Sequence, residues 1–329
     1  MTPVPDIQSV SIVLPARNEA ATITRTLEAL ARLTYAPVEI VVVDGGSDDD
    51  TAGIVREYAR TCCPRIRVIE AGPATPGRAR NIGIAATTSP WIALTDAGDC
   101  AKPAWLEQLM AAAQREPGAR VVYGNCLPVV ETFFTRSAAL AYVTPPRATS
   151  QGRLRAPSAA SMLIHRDVWS RAGGFADLRA AEDLLFFDRL THDGVPSAWA
   201  PTATVRWQIQ PSVTTTFRRF SEYSWHNVRA GLQSRWHYGV ARQYLLALGF
   251  AGLGIAIDPA WWMAIPAGAI LRATRSIWRR RWGIASASEA FNPLQIAAVV
   301  GVLLILDAAT FTGWLRAATG RPAPSQRAR

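Results

Sequence analysis

VEIVVVDGGSDDDT, residues 38–51, decides how the chain folds. Val38–Val43 is a short, β-branched, almost wholly apolar run, the signature of a strand buried on both faces. It stops at Asp44-Gly45-Gly46, and Thr51–Thr61 then follows with helical spacing. The same pattern recurs on either side. Val10–Leu14 ends in Pro15-Ala16-Arg17-Asn18-Glu19 and leads to Ala20–Leu33, which sets Ile23, Leu27, Leu30 and Ala31 on one face. Trp91–Thr95 runs into Asp96-Ala97-Gly98-Asp99, with a strand at Arg67–Glu70 and a helix at Arg78–Ala86 in between. Strands alternating with helices predict an α/β domain, a mostly parallel sheet flanked by helices on both faces. Ligands in such sheets bind beyond the carboxyl ends of the strands. Three of those ends carry polar clusters, so the three together predict one site.

The residue types describe a nucleoside diphosphate. Asp44 offers acceptors for a base edge or ribose hydroxyls, and Gly45-Gly46 allows close backbone approach. Arg17, Arg78 and Arg80 can neutralise phosphate oxygens. Asp96 and Asp99 offer hard oxygen ligands to a divalent cation, which would stabilise a departing diphosphate. A dinucleotide dehydrogenase and a P-loop ATPase are disfavoured, because neither G-x-G-x-x-G nor G-x-x-x-x-G-K-[ST] occurs. Cys62, Cys63, Cys100 and Cys126 form no C-x-x-C pair and no disulfide framework, so a reduced, cytoplasmic catalytic part is expected. The four histidines show no metal-ligand spacing.

The formal charge of the 329-residue chain is +10, which invites a nucleic-acid reading. The distribution argues otherwise. Residues 1–209 balance at 21 basic and 21 acidic side chains, whereas residues 210–329 hold 14 arginines against Glu222, Asp258, Glu289 and Asp307. The excess lies among the long apolar runs, which points to a membrane and to no nucleic-acid partner. Met1–Ser9 lacks a basic-then-apolar signal segment, so attachment is expected from the C-terminal part.

That part divides readily. Residues 1–210 are expected to be the catalytic domain, within which Val143–Ser161 is a surface linker or a lid bearing Arg153 and Arg155. Residues 211–241 form an amphipathic interface helix, its core at Thr214–Tyr238 with Phe217, Phe220, Ser224, Val228, Leu232 and Trp236 at spacings of three and four. Residues 242–315 are expected to be membrane-associated: a hairpin over 243–271, a basic loop over 272–292 and an apolar segment over 294–315. Tyr244–Ile257 and Ala260–Leu271 are each short of a bilayer's hydrocarbon thickness of about 30 Å. A hairpin also returns the arginines after Leu271 to the side they left, as the positive-inside rule favours. Asp307 is costly in lipid, so the last segment is either a span with a polar feature or an interfacial helix. Residues 316–329 are a basic tail.

SIVLPARNEAATITRTLEAL (11–30), VEIVVVDGGSDDDT (38–51), GRARNIGIAATTSPWIALTDAGD (77–99) and GGFADLRAAEDLLFFDRL (173–190) together resemble family 2 glycosyltransferases of the GT-A fold, over residues 9–210. The resemblance implies a sugar transferred from a nucleotide-sugar donor with inversion. It implies that Pro15, Arg17, Glu19 and Asp44 line the nucleoside pocket, that Ser47 and Arg80 belong to the donor-binding set, and that Asp96 opens a D-x-D motif for Mn²⁺ or Mg²⁺. The sequence departs from the usual motif at Gly98, which stands where a second aspartate is expected. Asp99 then shifts to the metal, or the metal is held less firmly. Glu182-Asp183 matches the family's acidic pair after a Gly-Gly-Phe turn, with Asp183 as general base; a phosphate acceptor would need none. More loosely, Arg218–Ser224, the hairpin, the basic stretch and the Asp307–Gly313 segment resemble membrane-attached members. This implies a lipid-linked or membrane-proximal glycan acceptor, and an inner-membrane protein with a cytoplasmic catalytic domain. The rival from another class is a nucleotide-sugar-binding membrane protein without catalysis.

Overall fold

The computed structural model describes residues 9–149 and 152–320. Met1–Gln8, Ser150 and Gln151 of the suggested lid, and the tail arginines Arg321, Arg327 and Arg329 lie outside the described residues. The first half of the chain alternates as its sequence suggests: β1 Val10–Ala16, α1 Ile23–Ala31, β2 Glu39–Asp44, α2 Thr51–Thr61, β3 Ile66–Glu70, α3 Pro76–Ala85 and β4 Trp91–Leu94. Then come β5 Cys100–Ala101, α4 Trp105–Arg115, β6 Val121–Val129, α5 Phe133–Tyr142, β7 Arg147–Thr149, β8 Gly152–Leu154 and β9 Met162–His165. α6 Arg166–Arg171, α7 Glu182–His192 and β10 Ser197–Gln208 complete the sheet-bearing part. The rest is helical: α8 Val213–Arg229, α9 Gln233–Ala256, α10 Ala264–Arg280, α11 Ala287–Ala290 and α12 Pro293–Ala318.

These elements form two compact units. The first ends at Leu127 and resumes over Arg147–Gln208; the second joins Pro128–Pro146 to the chain from Ile209 onward. The α5 segment thus belongs with the helices and not with the sheet around it in sequence.

The first unit is an eight-stranded sheet in the order β3-β2-β1-β4-β9-β6-β10-β5. β1, β2, β3 and β4 are mutually parallel, whereas β9 runs antiparallel to both β4 and β6. Period-two alternation buries both faces. Ile12, Leu14, Ile40 and Val42 pack with Leu27, Leu30 and Val55 on one side; Val13, Val41 and Val43 pack with Ala79, Ile84 and Phe186 on the other. Register fixes the site: Ala16 pairs with Asp44, and Val13 with Leu94, so the polar residues after β1, β2 and β4 emerge along one edge. The stretch between Val143 and Ser161 holds the β7–β8 hairpin and a short 3-10 turn at Ala159–Ser161.

In the second unit the helices break at other places than the sequence pattern suggests. The expected amphipathic helix over Thr214–Tyr238 is two helices. Gly231 takes φ 74, and the Leu232 N–H bonds back to Asn227 O at 2.8 Å, which ends α8 while buried Leu232 anchors the turn. The second half of that stretch belongs to α9, which carries the first apolar run. Arg272, Arg275, Arg279 and Arg280 lie on α10, a helix where a basic loop was expected, because Ala273, Ser276 and Ile277 give that stretch a buried stripe. Residues 294–315 lie within one helix, α12. This helix packs on α5 through Gln295, whose Nε2 donates to Ser137 Oγ at 2.7 Å, and on α8 through Gly313, where any Cβ would lie 2.3 Å from Ser221 O. Asp307, 1% exposed, accepts two bonds from Arg272, the Nη2 one at 2.8 Å, and a third from Tyr244 Oη at 3.2 Å. The expected polar feature of the last segment is therefore an internal ion pair.

Candidate active site

The loops after β1 and β2 are tied to each other before any ligand enters. Asn18, at φ 56, gives its backbone N–H to Ser47 Oγ at 2.9 Å and accepts the Asp48 N–H on Oδ1 at 2.7 Å. The Glu19 N–H reaches Thr51 Oγ1 at 2.8 Å, and the Ala20 N–H reaches Asp49 Oδ2 at 3.0 Å. Asp44 is 5% exposed; its carboxylate accepts from the Ser47 N–H at 3.1 Å and from the Ser47 hydroxyl. Pro15, Arg17 and Glu19 are half-buried on the same edge. The Ala97 N–H bonds to Pro15 O at 3.4 Å, which carries the turn after β4 alongside β1. Sequence-predicted Pro15, Glu19, Asp44, Ser47 and Asp96 thus share one rim.

At the centre is Arg80, its side chain 4% exposed. Its guanidinium forks between two carboxylates: Nη1 donates to Glu182 Oε1 at 2.7 Å, and Nη2 to Asp96 Oδ1 at 2.5 Å. The sequence suggested Arg80 for phosphate; the structure spends its charge on acids. It joins the turn after β4, 16 residues along the chain from Arg80, to the first turn of α7, 102 residues along. Arg78, two residues earlier on α3, is exposed. Phe175 lies against the guanidinium at 5.6 Å and stacks on Phe186 at 4.2 Å.

Delivering α7 to this position depends on residues that sequence reasoning passed over. Asn81 Oδ1 accepts from the Phe175 N–H at 2.9 Å and from Trp169 Nε1 at 3.0 Å, while its Nδ2 donates to Phe175 O at 2.8 Å. That clamp holds the Gly173-Gly174-Phe175 turn against α3. Ala181 then takes φ 70, a conformation that is uncommon without glycine, and starts the helix with both acids in its first turn. Gly77 is where α3 and this loop meet: a Cβ there would lie 2.0 Å from Ala176 O and 3.2 Å from Glu182 Cβ. Gly77→Ala is expected to destabilise the protein by about 1–3 kcal/mol and to weaken the Arg80–Glu182 pair; urea unfolding beside wild type checks it.

The electrostatics follow from burial. Burial pushes the Glu182 carboxyl up to about 7; Arg80 opposes that shift and Asp183 adds to it. Asp183, whose Oδ1 accepts the Leu184 N–H at 2.8 Å, is also raised, chiefly by burial, with Arg80 opposing and Asp96 adding. Arg80 is itself raised despite burial, because Asp96 and Glu182 flank it. A second buried cation, Arg155, is drawn down to about 10 by burial, and its N–H bonds to Asn125 Oδ1 at 3.3 Å.

The turn after β4 shows what Gly98 does. Gly98 takes φ 87, and a Cβ there would face Glu19 Oε2 at 3.4 Å. A second aspartate at this position would bring one carboxylate against another. The Asp99 N–H closes the turn onto Asp96 O at 3.2 Å, with Asp99 only 9% exposed. Among the described residues no three His, Cys, Asp or Glu side chains gather into a metal cage. The oxygen donors of this turn, Asp99 and the partly exposed Asp96, are of the type that suits a hard cation shared with a diphosphate.

Comparison with known proteins bears on the family and the fold. Residues 11–167 match the family model described as Glycosyl transferase family 2. Validoxylamine A glucosyltransferase of Streptomyces hygroscopicus subsp. limoneus is 37% identical over 122 residues, covering 35% of this chain and 26% of that protein. Succinoglycan biosynthesis protein ExoO of Rhizobium meliloti (strain 1021) is 37% identical over 120 residues, covering 36% and 33%. The chain thus spans a third or less of these relatives. Among solved structures, the mannosyltransferase PcManGT from Pyrobaculum calidifontis, in complex with GDP-Man and Mn²⁺, superposes with a TM-score of 0.56 at 17% identity, covering 95% of this chain and 88% of that one. That likeness carries the fold. Residues 11–167 therefore carry a glycosyltransferase family 2 domain, and the sheet of the first unit has the GT-A fold.

Proposed function

We propose that this chain moves a sugar from a nucleotide-diphosphate donor to a lipid-linked or membrane-proximal glycan acceptor, with inversion at the anomeric carbon. One observation carries the reading: buried Arg80 holds Asp96, at the donor end of the sheet, and the Glu182-Asp183 turn of α7 in one cluster. Pro15, Arg17, Glu19, Asp44 and Ser47 bind the nucleoside end of the donor, and Asp96 faces the diphosphate. A Mn²⁺ or Mg²⁺ ion held by Asp96 and the diphosphate, with Asp99 behind it, would supply positive charge as the leaving group departs. Asp183 accepts the proton of the acceptor hydroxyl while that oxygen bonds to the anomeric carbon. The bond from that carbon to the β-phosphate oxygen breaks on the opposite face, and the nucleoside diphosphate leaves with the bonding pair. Glu182 keeps Arg80 in register and is a positioning residue.

The mannosyltransferase neighbour's Mn²⁺ supports the cation. Donor titration by calorimetry tests it. Wild type is expected to bind its nucleotide-sugar at least about tenfold more tightly with Mn²⁺ or Mg²⁺ than with EDTA, and Asp96→Asn to lose that difference. Equal affinity under both conditions contradicts a cation role.

Membrane attachment is supported by α9 and α12, which are long and apolar enough to cross a bilayer, and by the arginines of α10. It suits an inner-membrane protein working on the cytoplasmic side. A phosphate acceptor remains a second reading, motivated by the arginine-rich second unit: an anionic nucleophile needs no base. The two differ in pH behaviour. With Asp183 as base, activity falls on the acid side through a pKa above the ordinary aspartate range near 4, because the raised carboxyl takes up its proton sooner. A phosphate acceptor removes the dependence on Asp183.

A further inference from the structure

The second unit leaves one part uncovered. α9 follows α12 closely at first: His237 and Tyr238 contact Trp314, and Tyr244 contacts Phe311. At Tyr244 and Asp307 the two helices share the ion pair with Arg272. Past Arg272, α10 returns to the protein, where Ser276 Oγ donates to Leu140 O at 2.8 Å and Arg280 Nε to Val143 O at 2.9 Å. Between those points residues 245–271 double back on themselves. Trp262 Nε1 donates to Ala251 O at 3.2 Å, its ring fills the space beside Gly254, and Trp261 stacks on Phe250. The hairpin is closed by its own contacts, and its outer surface is apolar. Leu248 is 68% exposed, Ile255 79%, Ile257 71% and Met263 70%.

We infer that residues 245–271 are a re-entrant hairpin that enters one leaflet of an anionic bilayer without crossing it. The inference rests on the membrane attachment proposed above. Length and charge decide between one leaflet and two. From Tyr244 to Ala256 the helix advances about 18 Å, more than one leaflet and well short of a hydrocarbon core of about 30 Å. The returning limb has the same reach, since eight helical residues from Ala264 to Leu271 follow the 3-10 turn Pro259–Met263. A full crossing would draw Arg272, Arg275 and Arg242 into hydrocarbon, whereas single-leaflet entry immerses one acid, Asp258, already capping the Ala260 N–H at 2.7 Å. Exposed Arg242, Arg275 and Arg279 then sit at headgroup level and match anionic lipid. α12, although long enough to span, is bound to α5 near its start, to α10 at its middle and to α8 near its end, so it lies among the helices of the second unit.

Thiol accessibility in the full chain decides it. Met263→Cys on a Cys62→Ser background is reconstituted in sealed phosphatidylcholine–phosphatidylglycerol vesicles and exposed to an impermeant maleimide, outside or trapped within. Cys62, exposed in the parent chain, reports which side the first unit occupies. Expected is protection from both sides and full labelling once detergent opens the vesicles. Labelling from the side opposite Cys62 means a crossing hairpin and overturns the inference while attachment stands. Labelling from the Cys62 side overturns it too; if the protein then also fails to float with the vesicles, the membrane reading itself falls. Ile255→Ser/Ile257→Ser, at largely exposed positions, is expected to cut vesicle partition at least about tenfold; unchanged partition contradicts insertion of the tip.

Discussion

Asp183→Asn is expected to lower kcat by about 10²- to 10⁴-fold, the usual contribution of a positioned general base, while leaving donor affinity within a few-fold of wild type. The substitution keeps the shape of the side chain and an oxygen for the Leu184 N–H, so α7 keeps its start. It removes the one property the mechanism needs, a carboxylate that takes a proton. The acid limb of the wild-type pH profile should vanish in the residual activity of the variant, because the group that titrates is gone. Calorimetry for binding and radiolabelled transfer for turnover separate the two effects. A variant that turns over as wild type does would move the chemistry to an acceptor that brings its own negative charge.

Arg80→Met should cost about 3 kcal/mol of stability and abolish detectable transfer. Removing one partner of a buried ion pair typically costs about 3–5 kcal/mol, because the remaining charge stays desolvated. Here Glu182 is left beside Asp183 with no cation, while Asp96 is partly solvated, which places the cost at the low end. Both acids have folded pKa values above their unfolded ones, so the favourable part of their contribution is complete below the unfolded pKa and disappears as pH rises through the folded value, about 7 for Glu182. Without Arg80 those values rise further. The stability deficit should therefore be largest near pH 8 and shrink toward pH 5, which urea unfolding at the two pH values measures. Arg80→Lys should recover only part of it, since an ammonium cannot fork between two carboxylates. A deficit independent of pH would show that packing against Phe175, and not charge, is what Arg80 provides.

The sheet and its site edge were legible in the sequence because their physics is local. A run such as Val38–Val43 followed by Asp44-Gly45-Gly46 carries its own strand, its own stop and the chemistry placed there. Pairing α7 with Asp96 was not legible from spacing alone. It depends on Arg80 reaching Glu182, on Asn81 clamping Phe175 and on the bare Cα of Gly77, three contacts between segments about a hundred residues apart. Only resemblance to a family joined those segments in advance. The helical unit misled in a different way. Aromatic spacing over Thr214–Tyr238 is continuous as a pattern, yet Gly231 breaks it, and nothing in the period of the pattern records a backbone turned to φ 74. The arginines after Leu271 read as a loop by composition, whereas Ala273, Ser276 and Ile277 on the opposite face keep them helical. The membership of α5 in the second unit was invisible too, because it rests on Gln295 and Ser276 finding Ser137 and Leu140 from far along the chain.

Sugar transfer from a nucleotide-diphosphate-sugar donor is read directly from its products. The full chain is incubated with radiolabelled UDP-, GDP- and dTDP-sugars, bacterial membrane extract and Mn²⁺ or Mg²⁺, and label is followed into the lipid and glycan fractions. Label from one donor should enter one of those fractions, with an equal amount of nucleoside diphosphate released and both lowered at least about 10²-fold with Asp183→Asn. Donor that binds but yields no transfer under any cation condition would overturn the transferase reading and leave a nucleotide-sugar-binding membrane protein in its place.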